Sequence, residues 1–463
     1  MLLAREIGRH ARKARAAVKP QMHLAFDLSW THVEGRWRLP GSWTGRVYPD
    51  LGLYQEIVAI AERGRIDLIF FGDSVGIPDT WQGSPDEAVR WGITFPRQDP
   101  SPYVVAMAQR SRHVGFGLTY SSTFMHPFYI ARLMNSLDHI TRGRIAFNVI
   151  TSTRRADAAN YGFDELMEHG ARYDRMEEFI DVCKALWASV AHDAFVWNRE
   201  TGIVVEDPGK VRPIDHVGRY FKVKGPLSCV PSPQGRPVLI QAGASARGIK
   251  ASAHFADHVF GAGFPTPLKV RHRAALDQAL VEAGRDPSRV GVLWDIILVV
   301  GETTEEAQRR RAQLLTAIPL EAVGAFVSGS EGWDFSTLPA RFRLRELNEE
   351  IAATQASPAG VVHKLAFLLG GETEVTREEF FEHALRFATG YDRTVAGSAA
   401  DVADHLEAEF EATGSRGGFM IAHPISTPRD LLNVTDFLVP ELQRRGRFRT
   451  EYRGKTLMEN LAD

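Results

Sequence analysis

The sequence predicts an α/β fold, a (β/α)8 barrel with loop insertions, on three observations. Short, nearly continuous apolar runs alternate with amphipathic helical patterns, which marks a parallel sheet covered on its faces. Eight such strand–helix units follow one another, enough to close a barrel. Two consecutive runs also end in small hydroxyl residues: Ser121, Ser122 and Thr123 after VGFGLTY, and Thr151, Ser152 and Thr153 after IAFNVI. The C-terminal ends of the strands are where such a barrel builds its site.

The first strand is expected at 23–30 (HLAFDLSW), before a Gly/Trp-rich loop and the helix YQEIVAIAERG, closed by Gly64. The second, 66–73 (IDLIFFGD), leads through a polar loop to the helix SPYVVAMAQRSR and the third strand, 114–120. A helical pattern over 127–140 and a turn at Gly143 bring the chain to the fourth strand, 145–150, and the helix RYDRMEEFIDVCKALWAS. Residues 195–235 read as a β-hairpin excursion. The fifth to eighth strands are PVLIQAG (237–243), HVFGAG (258–263), VGVLWDIILVVG (290–301) and GGFMIAH (417–423), each followed by a helical pattern. A barrel needs roughly 250 residues, so the excess falls in loops, in 195–235 and in 317–400. The block 317–400 is mostly helical in pattern and is expected to cap one barrel end. Residues 1–21 form a basic extension, and 22–463 read as a single domain.

Composition narrows the function. A formal net charge of −2 gives no global attraction to nucleic acid or to an anionic membrane. No apolar run approaches the ~18–20 residues of a membrane helix. Two cysteines, Cys183 and Cys229, are too few for a disulfide framework and fit a reducing cytosol; Cys183 falls on an apolar helix face. The first twenty residues carry Arg5, Arg9, Arg12, Lys13, Arg15 and Lys19 against Glu6, without the apolar stretch of a secretory signal. They read as a solvated helix, or as sequence upstream of a true start at Met22, before a transit peptide.

Several residues could carry chemistry. Asp73 ends a strand, where ligand contact and a loop hydrogen bond are equally open. GASARG (243–248) joins a strand to a helix, so that backbone N–H groups and Ser245 could meet an anion, although many such turns serve only as caps. His169 and Tyr173 in HGARY share a helix face. Arg154 and Arg155 could meet an anionic substrate or be ordinary loop cations. Trp30, His32, Trp37, Arg38 and Trp43 could wall a pocket. There is no zinc motif, phosphate-binding loop, dinucleotide fingerprint or nucleophile elbow. The catalytic power is therefore expected to reside in a cofactor.

These motifs together resemble the flavin-dependent monooxygenases of the bacterial luciferase-like superfamily. More narrowly they resemble the branch containing nitrilotriacetate, EDTA, dibenzothiophene-sulfone and long-chain alkane monooxygenases. The resemblance runs from Met22 through FFGDS, SSTFMHPFYIAR with LDHITRGRIAFNVITS, RYDRMEEFIDVCKALW, HVGRYFKVKGPL with SPQGRPVLIQAGASARG, and PELQRRGRFRTEYRGKTLMENL. It implies an FMNH2-dependent monooxygenase that inserts one oxygen atom of O2 into a small organic substrate. It further implies an NAD(P)H-dependent flavin reductase as partner, a homodimer or homotetramer, and a cytoplasmic location. The implied FMN contacts are Asp73, Thr119, Asn148, Ser152, His169, Tyr173 and Ser245, with Ser245 at the phosphate and His32 as a catalytic polar contact. The chain departs from the pattern at TRRADAANYG, where Arg154 and Arg155 intrude, and near 365–400. An F420-dependent oxidoreductase of the same superfamily and a non-catalytic flavin-binding protein are the alternatives.

Overall fold

The computed structural model describes residues 19–29, 36–42, 48–263, 265–316, 318–353, 360–422 and 428–462. Among the described residues thirteen strands run in chain order: β1 (His23–Asp27), β2 (Leu68–Phe71), β3 (Gly115–Ser121), β4 (Ile145–Ile150), β5 (His216–Val217), β6 (Lys222–Val223), β7 (Val238–Ala242), β8 (His258–Gly261), β9 (Gly291–Gly301), β10 (Arg341–Arg343), β11 (Glu374–Thr376), β12 (Thr394–Ser398) and β13 (Gly417–Ala422). Eight of them, β1, β2, β3, β4, β7, β8, β9 and β13, pair in that order, all parallel. The ring closes where β13 pairs with β1. These are the eight strands read from the sequence, with ends trimmed by at most three residues.

The period of two along each strand divides its side chains between two cores. Ala25, Leu68, Phe70, Ala146, Val238, Ile240, Leu293 and Met420 form one buried cluster inside the barrel. Their neighbours Leu24, Phe26, Ile69, Phe147, Leu239, Val292 and Phe419 belong to a second cluster shared with the surrounding helices. Two residues further up the strands, the inward positions become polar: Asp27, Thr119, Asn148 and Asp295, all buried. The sequence thus makes a dry barrel body with a polar upper layer.

The lower end is closed by the C-terminal tail. Leu457 and Leu461 join the interior cluster, and a Cβ on Gly115 would come within 2.5 Å of Leu457. Around this plug, Asp67 accepts from Leu24 N (2.9 Å) and pairs with Arg449 Nη2 (2.6 Å) and His23 Nδ1 (3.2 Å). Arg449 also donates to Asn460 O at 2.7 Å. Burial alone would raise the Asp67 carboxyl, but Arg449 and His23 outweigh it and hold the carboxyl below its ordinary value.

Two regions differ from expectation. Residues 394–398 lie in the block expected to be mostly helical, yet they form β12, parallel to the upper half of β9 (Thr394↔Ile297 to Ser398↔Gly301). At eleven residues, β9 outruns its barrel neighbours, and the Thr-Val pair of β12 suits the free upper edge. In the 195–235 excursion, the hairpin shrinks to the two-residue strands β5 and β6 and isolated bridges such as Phe195↔Val205. The rest of the 317–400 block is mostly helical and, with Trp81 from the loop after β2, forms an apolar core that includes Phe335, Phe380 and Phe381. Among the described residues no single helix is long and apolar enough to cross a membrane, and no group of His, Cys, Asp or Glu side chains is placed to hold a metal.

Candidate active site

A cavity of about 2460 Å³ opens at the C-terminal mouth of the barrel, between the strand ends and the inserted block. One wall comes from the ends of β4 and β7, with Thr151, His169, Tyr173 and Ser245. The facing wall comes from the cap, with Val361, Lys364, Leu365, Phe387 and Arg393. A drug-sized ligand site spans roughly 300–1,000 Å³, so there is room for a cofactor and a substrate together.

The hydroxyls at the ends of β3 and β4 are largely spent on bracing the two strands. Ser122 Oγ donates to Ile150 O (3.1 Å), and Thr123 Oγ1 donates to Thr151 O (2.6 Å). Ser152 Oγ bonds Ser121 Oγ at 2.9 Å, while Ser152 itself takes a left-handed backbone with φ of 53°. Its carbonyl is held by Arg172 Nη1 at 2.8 Å. One layer lower, Asn148 Nδ2 donates to Thr119 Oγ1 at 2.9 Å, and Asn148 Oδ1 is buried with no partner. The cost of such an orphan is about 1–3 kcal/mol unless something donates to it.

Ser245 is the N-cap of the helix Ala246–Phe255; its side chain accepts from Gly248 N at 3.1 Å. Tyr173 Oη lies against this turn, and burial raises its hydroxyl pKa. Only glycines allow this turn to close: a Cβ on Gly243 would lie 2.8 Å from Gly248 Cα, and one on Gly248 would lie 3.0 Å from Tyr173 Oη. His169 opens the helix His169–Trp187, and its ring sits 5.1 Å from that of Tyr173. Strand end, helix start and this aromatic pair thus converge on the N-terminus of Ala246–Phe255, where partial positive charge collects.

The mouth also gathers strained acids. Burial pushes Asp27 up to about 7, although Ser29 donates to it through N–H (2.8 Å) and hydroxyl. Burial likewise pushes Asp73 up to about 6, with Arg97 at 3.8 Å offsetting only part. Asp295 is tied to Arg393. Lys364 is pushed down to about 8, first by burial and then by Arg393, and Glu331, which accepts from Val361 N at 2.6 Å, is raised by burial to about 7.

Of the residues singled out in the sequence, His169, Tyr173 and Ser245 are brought together and line the cavity. Asp73, Thr119, Asn148 and Ser152 sit at the strand ends beside it. His32 lies outside the described residues, as do Trp30, Trp43 and most of the 1–21 extension. Arg154 braces two loops by donating to Ser74 Oγ (2.9 Å), while Arg155 is exposed at the rim. Cys183 is fully buried. Sequence reasoning missed Asp27, Arg172, Asp295, Lys364 and Arg393. The first and third could have been found by carrying the inward alternation of Ala25 and Leu293 two residues further.

A barrel mouth with a helix start open to a cavity large enough for two ligands, and with an unpaired buried acceptor, fits a cofactor-dependent enzyme of the (β/α)8 class. The sequence matches the luciferase-like monooxygenase family over residues 41–417, and the chain belongs to that family. It is 34% identical to the dibenzothiophene-sulfone monooxygenase of Rhodococcus erythropolis strain XP, over 95% of this chain and 96% of the other. It is 33% identical to the long-chain alkane monooxygenase of Geobacillus thermodenitrificans, over 95% and 94%. The crystal structure of DmoA from Hyphomicrobium sulfonivorans superposes with a TM-score of 0.84 at 31% identity, covering 96% of this chain and 92% of that one. The protein is a flavin-dependent monooxygenase that uses reduced FMN and O2 and depends on a separate flavin reductase. The donor set at Ser245, Tyr173 and the helix start fits a phosphate, and Asn148 Oδ1 fits a ring N–H.

Proposed function

We propose that FMN binds with its phosphate at Ser245, His169 and Tyr173, and with its ring system along Asp73, Thr119, Asn148 and Ser152. The observation that carries this reading is the Gly243–Gly248 turn, whose close approach leaves the start of Ala246–Phe255 open to the cavity. When bound, reduced flavin supplies the activation of O2, one atom going to the substrate and the other to water. The chain's own work is to hold and shield. The strand braces hold the β3–β4 ends in one geometry, and the Thr119–Asn148 pair presents an acceptor to the ring. The cap, with Val361, Leu365 and Phe387, excludes water from the reacting face. His32 is assigned as a polar contact near that face, on the resemblance alone.

The substrate is a small organic molecule bound between the strand ends and the cap. The relatives named above differ in substrate, so its class rests on cap residues particular to this chain. Residues 22–463 are taken as one domain. A homodimer or homotetramer in the cytoplasm fits the family, and the two cysteines are both free thiols, as a reducing compartment requires. The test is a turnover screen with FMN, NADH and a generic flavin reductase against sulfonates, sulfones, aminocarboxylates and alkanes under 18O2. One labelled oxygen per product molecule is expected. Tight binding of F420 with no affinity for FMN would overturn the assignment, as would FMN binding without any product across all four classes.

A further inference from the structure

Arg172 is a buried cation without an acid. It is 4% exposed, lines the cavity, and spends one N–H on Ser152 O. Its Nε has no partner, and among the described residues no carboxylate lies within ion-pair distance. The nearest acid in sequence, Glu168, directs its two oxygens to Gly170 N and Ala171 N, each at 2.8 Å. A second arginine beside Tyr173, Arg247, is already neutralised by Glu177 (2.6 Å) and Asp174 (2.8 Å). A buried guanidinium with spare donors is costly unless an anion meets it.

Its position says which anion. On the helix His169–Trp187, residues 169, 172 and 173 share one face. That face carries the His169–Tyr173 pair, and Tyr173 Oη lies against Gly248 in the first turn of the helix that Ser245 caps. The start of Ala246–Phe255 adds N–H groups but only partial charge. A phosphate monoester brings nearly two negative charges, which hydroxyls and a helix end do not balance.

We infer that Arg172 is the counter-cation of the flavin phosphate and the residue that makes this site select FMN over riboflavin. The inference rests on the placement of the phosphate at Ser245. It adds a residue with a role of its own: selectivity between a phosphorylated and an unphosphorylated flavin.

The experiment is a pair of fluorescence titrations, oxidised FMN and riboflavin, on the folded wild type and on Arg172→Gln, Arg172→Lys and Ser245→Ala. Gln keeps a donor for Ser152 O and removes the charge. Arg172→Gln is expected to weaken FMN by roughly 10- to 100-fold, the loss typical of a charge-assisted contact, and to leave riboflavin unchanged. Equal weakening of both flavins would show that Arg172 only holds the Ser152 turn, and would overturn the inference. So would an unchanged preference for FMN. Should Arg172→Gln fail to fold, Arg172→Lys carries the test: it keeps a cation but loses the planar fork, so FMN must weaken selectively. Ser245→Ala separates the two levels. If it abolishes the preference for FMN while Arg172→Gln preserves it, the phosphate reading stands and the Arg172 inference falls. If Ser245→Ala leaves the preference intact, the phosphate reading itself falls.

Discussion

Asp67 and Asp73 bracket the same four-residue strand, β2, and are treated in opposite ways. At the closed lower end, Asp67 meets Arg449, His23 and a backbone N–H, and its carboxyl is held below its ordinary value. At the open mouth, Asp73 is buried with Arg97 no nearer than 3.8 Å, and its carboxyl is pushed up to about 6. The lower acid stabilises the barrel, whereas the upper one costs stability and is kept where a ligand arrives. Strain at a site and satisfaction away from it are what a binding function demands of one scaffold.

The contrast can be broken most severely from below. Arg449→Met leaves the Asp67 charge buried and half-paired and should cost about 3–5 kcal/mol in denaturant unfolding. Adding Asp67→Asn should recover part of it, and flavin affinity of the folded fraction should not move. Because the Asp67 carboxyl is held down, its contribution is present above its unfolded pKa and fades as pH falls through its folded one. Wild type and Arg449→Met should therefore converge in strong acid. Next in size is Ser245→Ala, which should weaken FMN by about 1.5–3 kcal/mol in calorimetric titration while costing the fold only about 1 kcal/mol as a lost N-cap.

Smaller again, and opposite in sign, Asp73→Asn should stabilise the protein by about 1–2 kcal/mol at pH 8. A carboxyl raised in the folded state opposes folding once the unfolded chain ionises. The gap over wild type should thus open between pH 4 and about 6 and stay constant above, as paired melts across pH will show. No gain would mean that Asp73 is better solvated than its burial implies. The smallest effect is expected from Arg155→Ala at the exposed rim: stability within about 0.5 kcal/mol and FMN affinity unchanged. Its only consequence should be a higher KM for anionic substrates, read in steady-state assays.

The barrel was legible in the sequence because each strand is short, apolar and bounded by turn residues, and the period of two survives the noise of loops. That His169, Tyr173 and Ser245 share one corner of the cavity was within reach too, since they stand in local motifs whose spacing is set by one helix or one turn. What escaped depends on contacts distant in sequence. Arg393 reaches Asp295 across 98 positions, and no local pattern announces that pair. Asp27 and Asp295 look like interruptions of apolar runs until the barrel's inside is known. The hydroxyls of Ser122 and Thr123 end a strand at the mouth, but neighbouring carbonyls claim them. β12 was hidden because its five residues pair only with the overhang of β9, whose length is a tertiary property.

That overhang has a mechanical consequence. The chain leaves the barrel at Gly301 and returns with Ser398 in register beside it, and Gln308 ties the departing helix to Ala396 O at 2.8 Å. The block between is moored to one strand, with Thr394 rejoining beside Ile297, and to the loop after β2, whose Trp81, Ala88 and Ile93 share its core. The cap is thus tied to the strand that carries Asp295 and to the loop that carries Asp73.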